Sequence, residues 1–98
     1  MGRKNLAEKI YYAIEPDTDS EDTWIVTYDF NSKANSKFWL NLHRLSMYAP
    51  GSRLLQQSVY STQSRRVARA AVSLARHYGA SVHLFRCVSA ESIEGAEA

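Results

Sequence analysis

Thr23-Trp24-Ile25-Val26-Thr27-Tyr28-Asp29-Phe30 is dense in β-branched and aromatic residues and reaches an acid only near its end. Such a run predicts a strand. Alternation places Ile25, Thr27 and Asp29 on one face and Trp24, Val26, Tyr28 and Phe30 on the other. Downstream, Asn31 to Asn35 is a polar turn, with Asn35 or Ser36 available to cap a helix. Phe38, Leu42, Leu45 and Ala49 then recur at helical spacing, and Pro50-Gly51 ends that helix. Leu54 to Ser61 predicts a second strand, with Leu55 and Val59 on one face and Gln56, Ser58 and Tyr60 on the other. Ser64 is placed to cap a helix from Arg65 to Tyr78, whose apolar side is Val67, Ala71, Leu74, Ala75 and Tyr78, and Gly79 stands where a glycine stops a helix. Ser81 to Val88 alternates again and predicts a third strand.

Upstream of Thr23 the pattern is ambiguous. Leu6, Ile10 and Ala13 or Ile14 suit a short helix, while Ile10 to Ile14 suits a strand equally well. The predicted order β-α-β-α-β defines an α+β sandwich on the ferredoxin-like plan, an antiparallel-dominated sheet with two helices on one face. That plan needs a further strand. It has three sources: the N-terminal segment, a split of the long 53–63 segment, or a partner subunit. The domain organisation expected is an N-terminal extension with an acidic loop over 1–22, a ferredoxin-like nucleic-acid-binding or nuclease domain over 23–88, and a polar tail over 89–98.

Charge narrows the function classes. From Thr23 to Val88 there are nine Lys or Arg residues against the single carboxylate of Asp29, so the formal net charge of +2 conceals a strongly basic middle. The other acids sit before it, at Glu8, Glu15, Asp17, Asp19, Glu21 and Asp22, and after it, at Glu91, Glu94 and Glu97. A basic body selects for a polyanionic partner, which makes nucleic acid, RNA or DNA, the first expectation. Arg65, Arg69 and Arg76, with Arg66 nearby and Lys33, Lys37 and Arg53 elsewhere, form a candidate phosphate track. A solvated helix face is the alternative. One cysteine, Cys87, excludes an intrachain disulfide and a Cys-based zinc site. No apolar run approaches the about 20 residues that cross a bilayer. The first residues lack the apolar core of a signal peptide, and the chain reads as cytoplasmic, with no membrane partner.

The run Arg53-Leu54-Leu55-Gln56-Gln57-Ser58-Val59-Tyr60, taken with Tyr28-Asp29, resembles the second core CRISPR-associated protein family. Its members are small dimeric nucleases and spacer-integration subunits. Their first strand ends in Tyr-Asp and a helix ends near Tyr-Gly, here Tyr48 and Gly51. The second strand then carries Gln-x-Ser-Val-Phe/Tyr, here Gln56, Ser58, Val59 and Tyr60. The virulence-associated protein D ribonucleases resemble the chain more distantly, through the same Gln-x-Ser-Val-Tyr strand. The chain departs from the pattern in its 22-residue leading segment. It departs again in Asn31, Ser32, Lys33, Asn35 and Lys37, where many members hold a second acid and an arginine pair.

The resemblance implies a homodimer acting in antiviral defence, with a CRISPR integrase as a further partner. Asp29 from each of two subunits would hold one Mg²⁺ and serve phosphodiester hydrolysis. Magnesium accepts one or two carboxylates together with waters and substrate phosphate. The residues alone equally allow Asp29 to cap the following turn or to pair with Lys33 or Lys37. No general base is evident, since none of His43, His77 and His83 stands at a fixed spacing from Asp29. Other functions left open are a catalytically silent nucleic-acid scaffold, a toxin-like ribonuclease, and a regulatory module that binds an acidic protein. Asp17 to Asp22 is not a calcium loop, because Asp22 stands where Gly is needed and Tyr28 where Glu is needed. It is expected to be a solvated loop, or a mask over the basic body. Tyr60 and Phe85 are expected in the core or an interface, and Cys87 as a small buried residue.

Overall fold

The computed structural model describes residues 5–17 and 22–87. It holds α1 (Leu6–Tyr12), β1 (Thr23–Asp29), α2 (Ser36–Ser46), β2 (Arg53–Gln56), β3 (Val59–Thr62), α3 (Arg65–His77) and β4 (Ser81–Cys87). The four strands form one sheet in the order β2-β3-β1-β4, and every pairing is antiparallel. From β1 onward this is β-α-β-β-α-β with helices on one face, an α+β fold of ferredoxin-like plan. The stretch expected as one strand from Leu54 to Ser61 is a hairpin. It turns at Gln57-Ser58, so the fourth strand comes from the split of the long segment. The turn resets the alternation: Gln56 pairs with Val59, not with the residues assigned to its face from sequence, and a bulge lies at Leu55.

The helices form because each carries a cap and an apolar stripe. Asn35 caps α2 through its side-chain oxygen on the Lys37 N–H, and Phe38, Leu42 and Leu45 are buried. Ser64 caps α3 on the Val67 N–H at 3.0 Å. Tyr78 is the C-cap of α3 rather than its last residue, and Gly79 follows at φ +88°, a left-handed conformation that costs an L side chain free energy. The ambiguous N-terminal stretch is helical. Asn5 accepts from the Glu8 N–H at 2.8 Å while its side-chain amide donates to the Glu8 carboxylate at 2.9 Å, tying the cap to the first turn.

One face of the sheet carries the core. Val26, Tyr28 and Tyr60 pack with Phe38, Leu42 and Leu45 of α2 and Val67, Ala71 and Leu74 of α3. Tyr28 meets Phe38 edge-on with centroids 5.1 Å apart. Ala7 of α1 joins this core, and its N–H donates to the side-chain Oδ1 of the buried Asn41 of α2 at 3.2 Å. On the other face, cross-strand register aligns Arg53, Ser61, Ile25 and Phe85 in one row and Gln56, Val59, Thr27 and His83 in the next. No helix of the described chain packs on that face.

Candidate nucleic-acid site

Asp29 is the last residue of β1 and is exposed, on the helix-free face of the sheet. Its ladder partner is Ser81, at the start of β4. Two residues on, His83 pairs with Thr27, so it stands on the face that carries Asp29. Across β1, the Tyr28 N–H donates to the Ser58 carbonyl at 3.1 Å and ties the β2-β3 turn to the end of the strand. These three attachments enclose an open cavity of about 350 Å³ lined by Asp29, His83, Ser58, Ser81, Thr27 and Val59. A carboxylate, an imidazole and two hydroxyls at one mouth form a set able to hold a cation, carry a proton and hydrogen-bond phosphate oxygens. Sequence spacing did not reveal His83 as a neighbour of Asp29. The signal is the antiparallel register of β1 with β4, which exists only once the chain has folded.

Among the described residues, no group of three or more His, Cys, Asp or Glu side chains is gathered for a metal. Asp29 is the one carboxylate that lines the cavity among the described residues. That donor set suits an ion that keeps several waters and is shared with a second carboxylate.

The remaining residues of the Gln-x-Ser-Val-Tyr segment divide by face. Val59 lines the cavity and Gln56 lies beside it in the ladder. Tyr60 turns the other way into the core, 1% exposed, with its hydroxyl 2.7 Å from Ser46 Oγ. Tyr28 is likewise core. Burial, and secondarily the nearby Tyr60, pushes its phenol up to about 12. Its hydroxyl has no hydrogen-bond partner among the described residues. Phe85 is 53% exposed on the helix-free face, and Cys87 is half-buried at the end of β4.

The basic residues fall into two groups. Lys33 and Lys37 are exposed in the segment that leaves Asp29, and Arg53 is exposed on the helix-free face. Arg65, Arg69 and Arg76 are exposed on α3, in the helical layer on the other side of the sheet. Within one chain, therefore, the α3 stripe does not lead into the Asp29 cavity.

Arg66 is separate from both groups. Its guanidinium lies 4.0 Å from the Tyr11 ring centroid and 5.3 Å from that of Tyr12, and Nε donates to the Tyr11 carbonyl at 2.9 Å. The N-terminal extension thus occupies it. Asp17 accepts from the Arg66 N–H at 2.7 Å and from the Ser64 hydroxyl, extending the cap of α3. Asp22 pairs with Arg86. Residues 18–21, the middle of the acidic loop, and 88–98, which include Val88 and the acidic tail, lie outside the described residues.

No protein-family model, curated protein or solved structure matches this chain. No helix among the described residues is long and apolar enough to cross a membrane.

Proposed function

We propose that the chain is a nucleic-acid phosphodiesterase whose centre is Asp29, built on the plan of the CRISPR-associated nuclease family it resembles and completed by a second copy. The observation that carries this reading is the cavity that gathers Asp29 with His83, Ser58 and Ser81 on the helix-free sheet face. The Asp29 carboxylate, with its counterpart from the second copy, would hold Mg²⁺. When bound, the ion would neutralise phosphate charge and lower the pKa of a coordinated water. The Ser58 and Ser81 hydroxyls orient the phosphate. His83 accepts the proton of the attacking water and returns it to the leaving oxygen. Lys33 and Lys37 hold the flanking backbone.

A second copy fits the same face. Ile25 and Phe85 in one row and Val59 in the next would give it apolar contact, and a two-fold axis passing near Asp29 would set that residue beside its own equivalent. RNA and DNA are both admitted by this chemistry, and the place of action is the cytoplasm.

The test is cleavage of labelled single-stranded RNA and duplex DNA in Mg²⁺ and in EDTA, with the mass of the particle measured in parallel. Metal-dependent cutting by a dimer, reduced about a hundredfold or more in Asp29→Ala and His83→Ala, is expected. Cutting that survives Asp29→Ala, or a monomer that cuts, refutes the assignment. A second reading, a catalytically silent nucleic-acid scaffold, is favoured by the α3 arginines lying in the layer away from Asp29. It predicts salt-sensitive binding that Asp29→Ala leaves intact.

A further inference from the structure

Between α3 and β4 runs a second groove, of about 360 Å³, remote from the Asp29 face. Val72 of α3, Val82 and Leu84 of β4 and Ile14 of the N-terminal segment make its apolar wall, and Arg69 and Arg76 line it as cations. Both arginines are exposed, and neither has an ion pair with any described residue. Glu15 and Asp17 lie in the adjoining crevice. Asp17 spends its oxygens on Ser64 and the Arg66 N–H, and Glu15 forms no ion pair with either arginine.

We infer that this groove takes one nucleotide of a single-stranded nucleic acid, its base against Val72, Val82 and Leu84 and its flanking phosphates on Arg69 and Arg76. Three physical points select that ligand. At 3.6 residues per turn, Arg65, Arg69 and Arg76 fall within about 40° of one another around α3. At 1.5 Å per residue they are spaced about 6 Å and about 10.5 Å along the axis. A line of unpaired cations continuing past the groove at Arg65 suits a polyanionic chain better than a small anion. Arg69 and Arg76 stand about two helical turns apart on α3 with Val72 of the groove wall between them, which suits two phosphates flanking one base. A duplex keeps its bases stacked and would have to extrude one at a cost, which a single strand avoids.

The inference rests on the reading of the chain as a nucleic-acid binder, but not on catalysis. It is therefore tested by fluorescence anisotropy with the Asp29→Ala protein in EDTA, where neither cutting nor metal enters. The probes are a labelled oligothymidylate, a backbone of equal length lacking every base, and a duplex. The oligothymidylate is expected to bind on the order of tenfold more tightly than the abasic backbone, the scale of burying part of one base against an aliphatic wall. The double variant Arg69→Ala/Arg76→Ala should lose affinity. Its log–log salt slope should fall by about 1.4, the release expected for two phosphate contacts on a single strand. Equal binding of the abasic strand, duplex binding as tight as single-strand binding, or an unchanged slope in the double variant overturns the inference. Absence of salt-sensitive affinity for all three probes also overturns it, and leaves the groove to an acidic protein.

Discussion

Replacing Tyr28 by Phe removes one oxygen atom from the core, and the structure sets both the sign and the size of the effect. Tyr28 is 4% exposed and its ring is held by edge contacts with Phe38, Phe30 and Trp39, none of which needs the hydroxyl. That hydroxyl is buried without a partner among the described residues, so folding strips it of water and returns nothing. A lost hydroxyl of this kind is worth about 1 kcal/mol. Tyr28→Phe should therefore be more stable by that amount, raising Tm by about 4–8 °C for a domain of this length.

Alkaline pH supplies a second, independent readout. The phenol ionises at about 12 in the folded chain against 10.0 when free. Between those values the unfolded chain has lost its proton and the folded one has kept it, so wild-type stability falls as pH rises. Below pH 10 the contribution is fully present. One pH unit of this window corresponds to about 1.4 kcal/mol. Tyr48 and Tyr60 are also raised by burial, so the comparison with Tyr28→Phe isolates the share of Tyr28. In urea titrations followed by tryptophan fluorescence, the advantage of the variant should widen by about 1 kcal/mol between pH 10 and pH 11, short of the full value because the free phenol is already half ionised at pH 10. A variant less stable than wild type at pH 8, or an advantage that does not grow with pH, would refute the argument.

Two further substitutions test the supports of α3. Ser64→Ala deprives the Val67 N–H of its cap and Asp17 of a donor, and should cost about 1–2 kcal/mol by denaturant midpoint, with m unchanged. Gly79→Ala meets no atom within 4 Å, so its whole effect is the φ of +88°; a loss of about 1 kcal/mol is expected, with Gly79→Asn losing less.

Legibility in the sequence followed the range of the interaction. The caps at Asn35 and Ser64, the apolar stripe of α3 and the stop at Gly79 are local, and each was readable from a few neighbouring residues. A split of the 53–63 segment was one of three sources open for the fourth strand, but its turn at Gln57-Ser58 was not marked, because neither residue is one of the Gly, Asn or Asp signals of two-residue turns. The run therefore read as continuous strand. Helix α1 carried a signal that the ambiguous Ile10 to Ile14 stretch overrode: Asn5 with Glu8 three residues later. Asp29 was legible as a lone acid at a strand end, whereas its meeting with His83 and Ser58 depends on pairings between distant strands. Arg66 belonged by composition to the phosphate track, and only the placement of Tyr11 takes it out.

The order of strands in the sheet also dictates an order in time. β1 is an inner strand, yet of the four described strands of this sheet it is the first to be synthesised. Its neighbour β3 is complete by Thr62, while its other neighbour, which seats Cys87 opposite Thr23, comes last. At ribosomal rates the gap between Thr62 and Cys87 lasts about one to five seconds. Through that interval one edge of an apolar central strand bears unpaired N–H and C=O groups, open to any extended segment nearby. In a crowded cell the vulnerable moment of this protein is thus its synthesis, and slowing translation over α3 should raise the fraction that aggregates without altering the stability of the chains that escape.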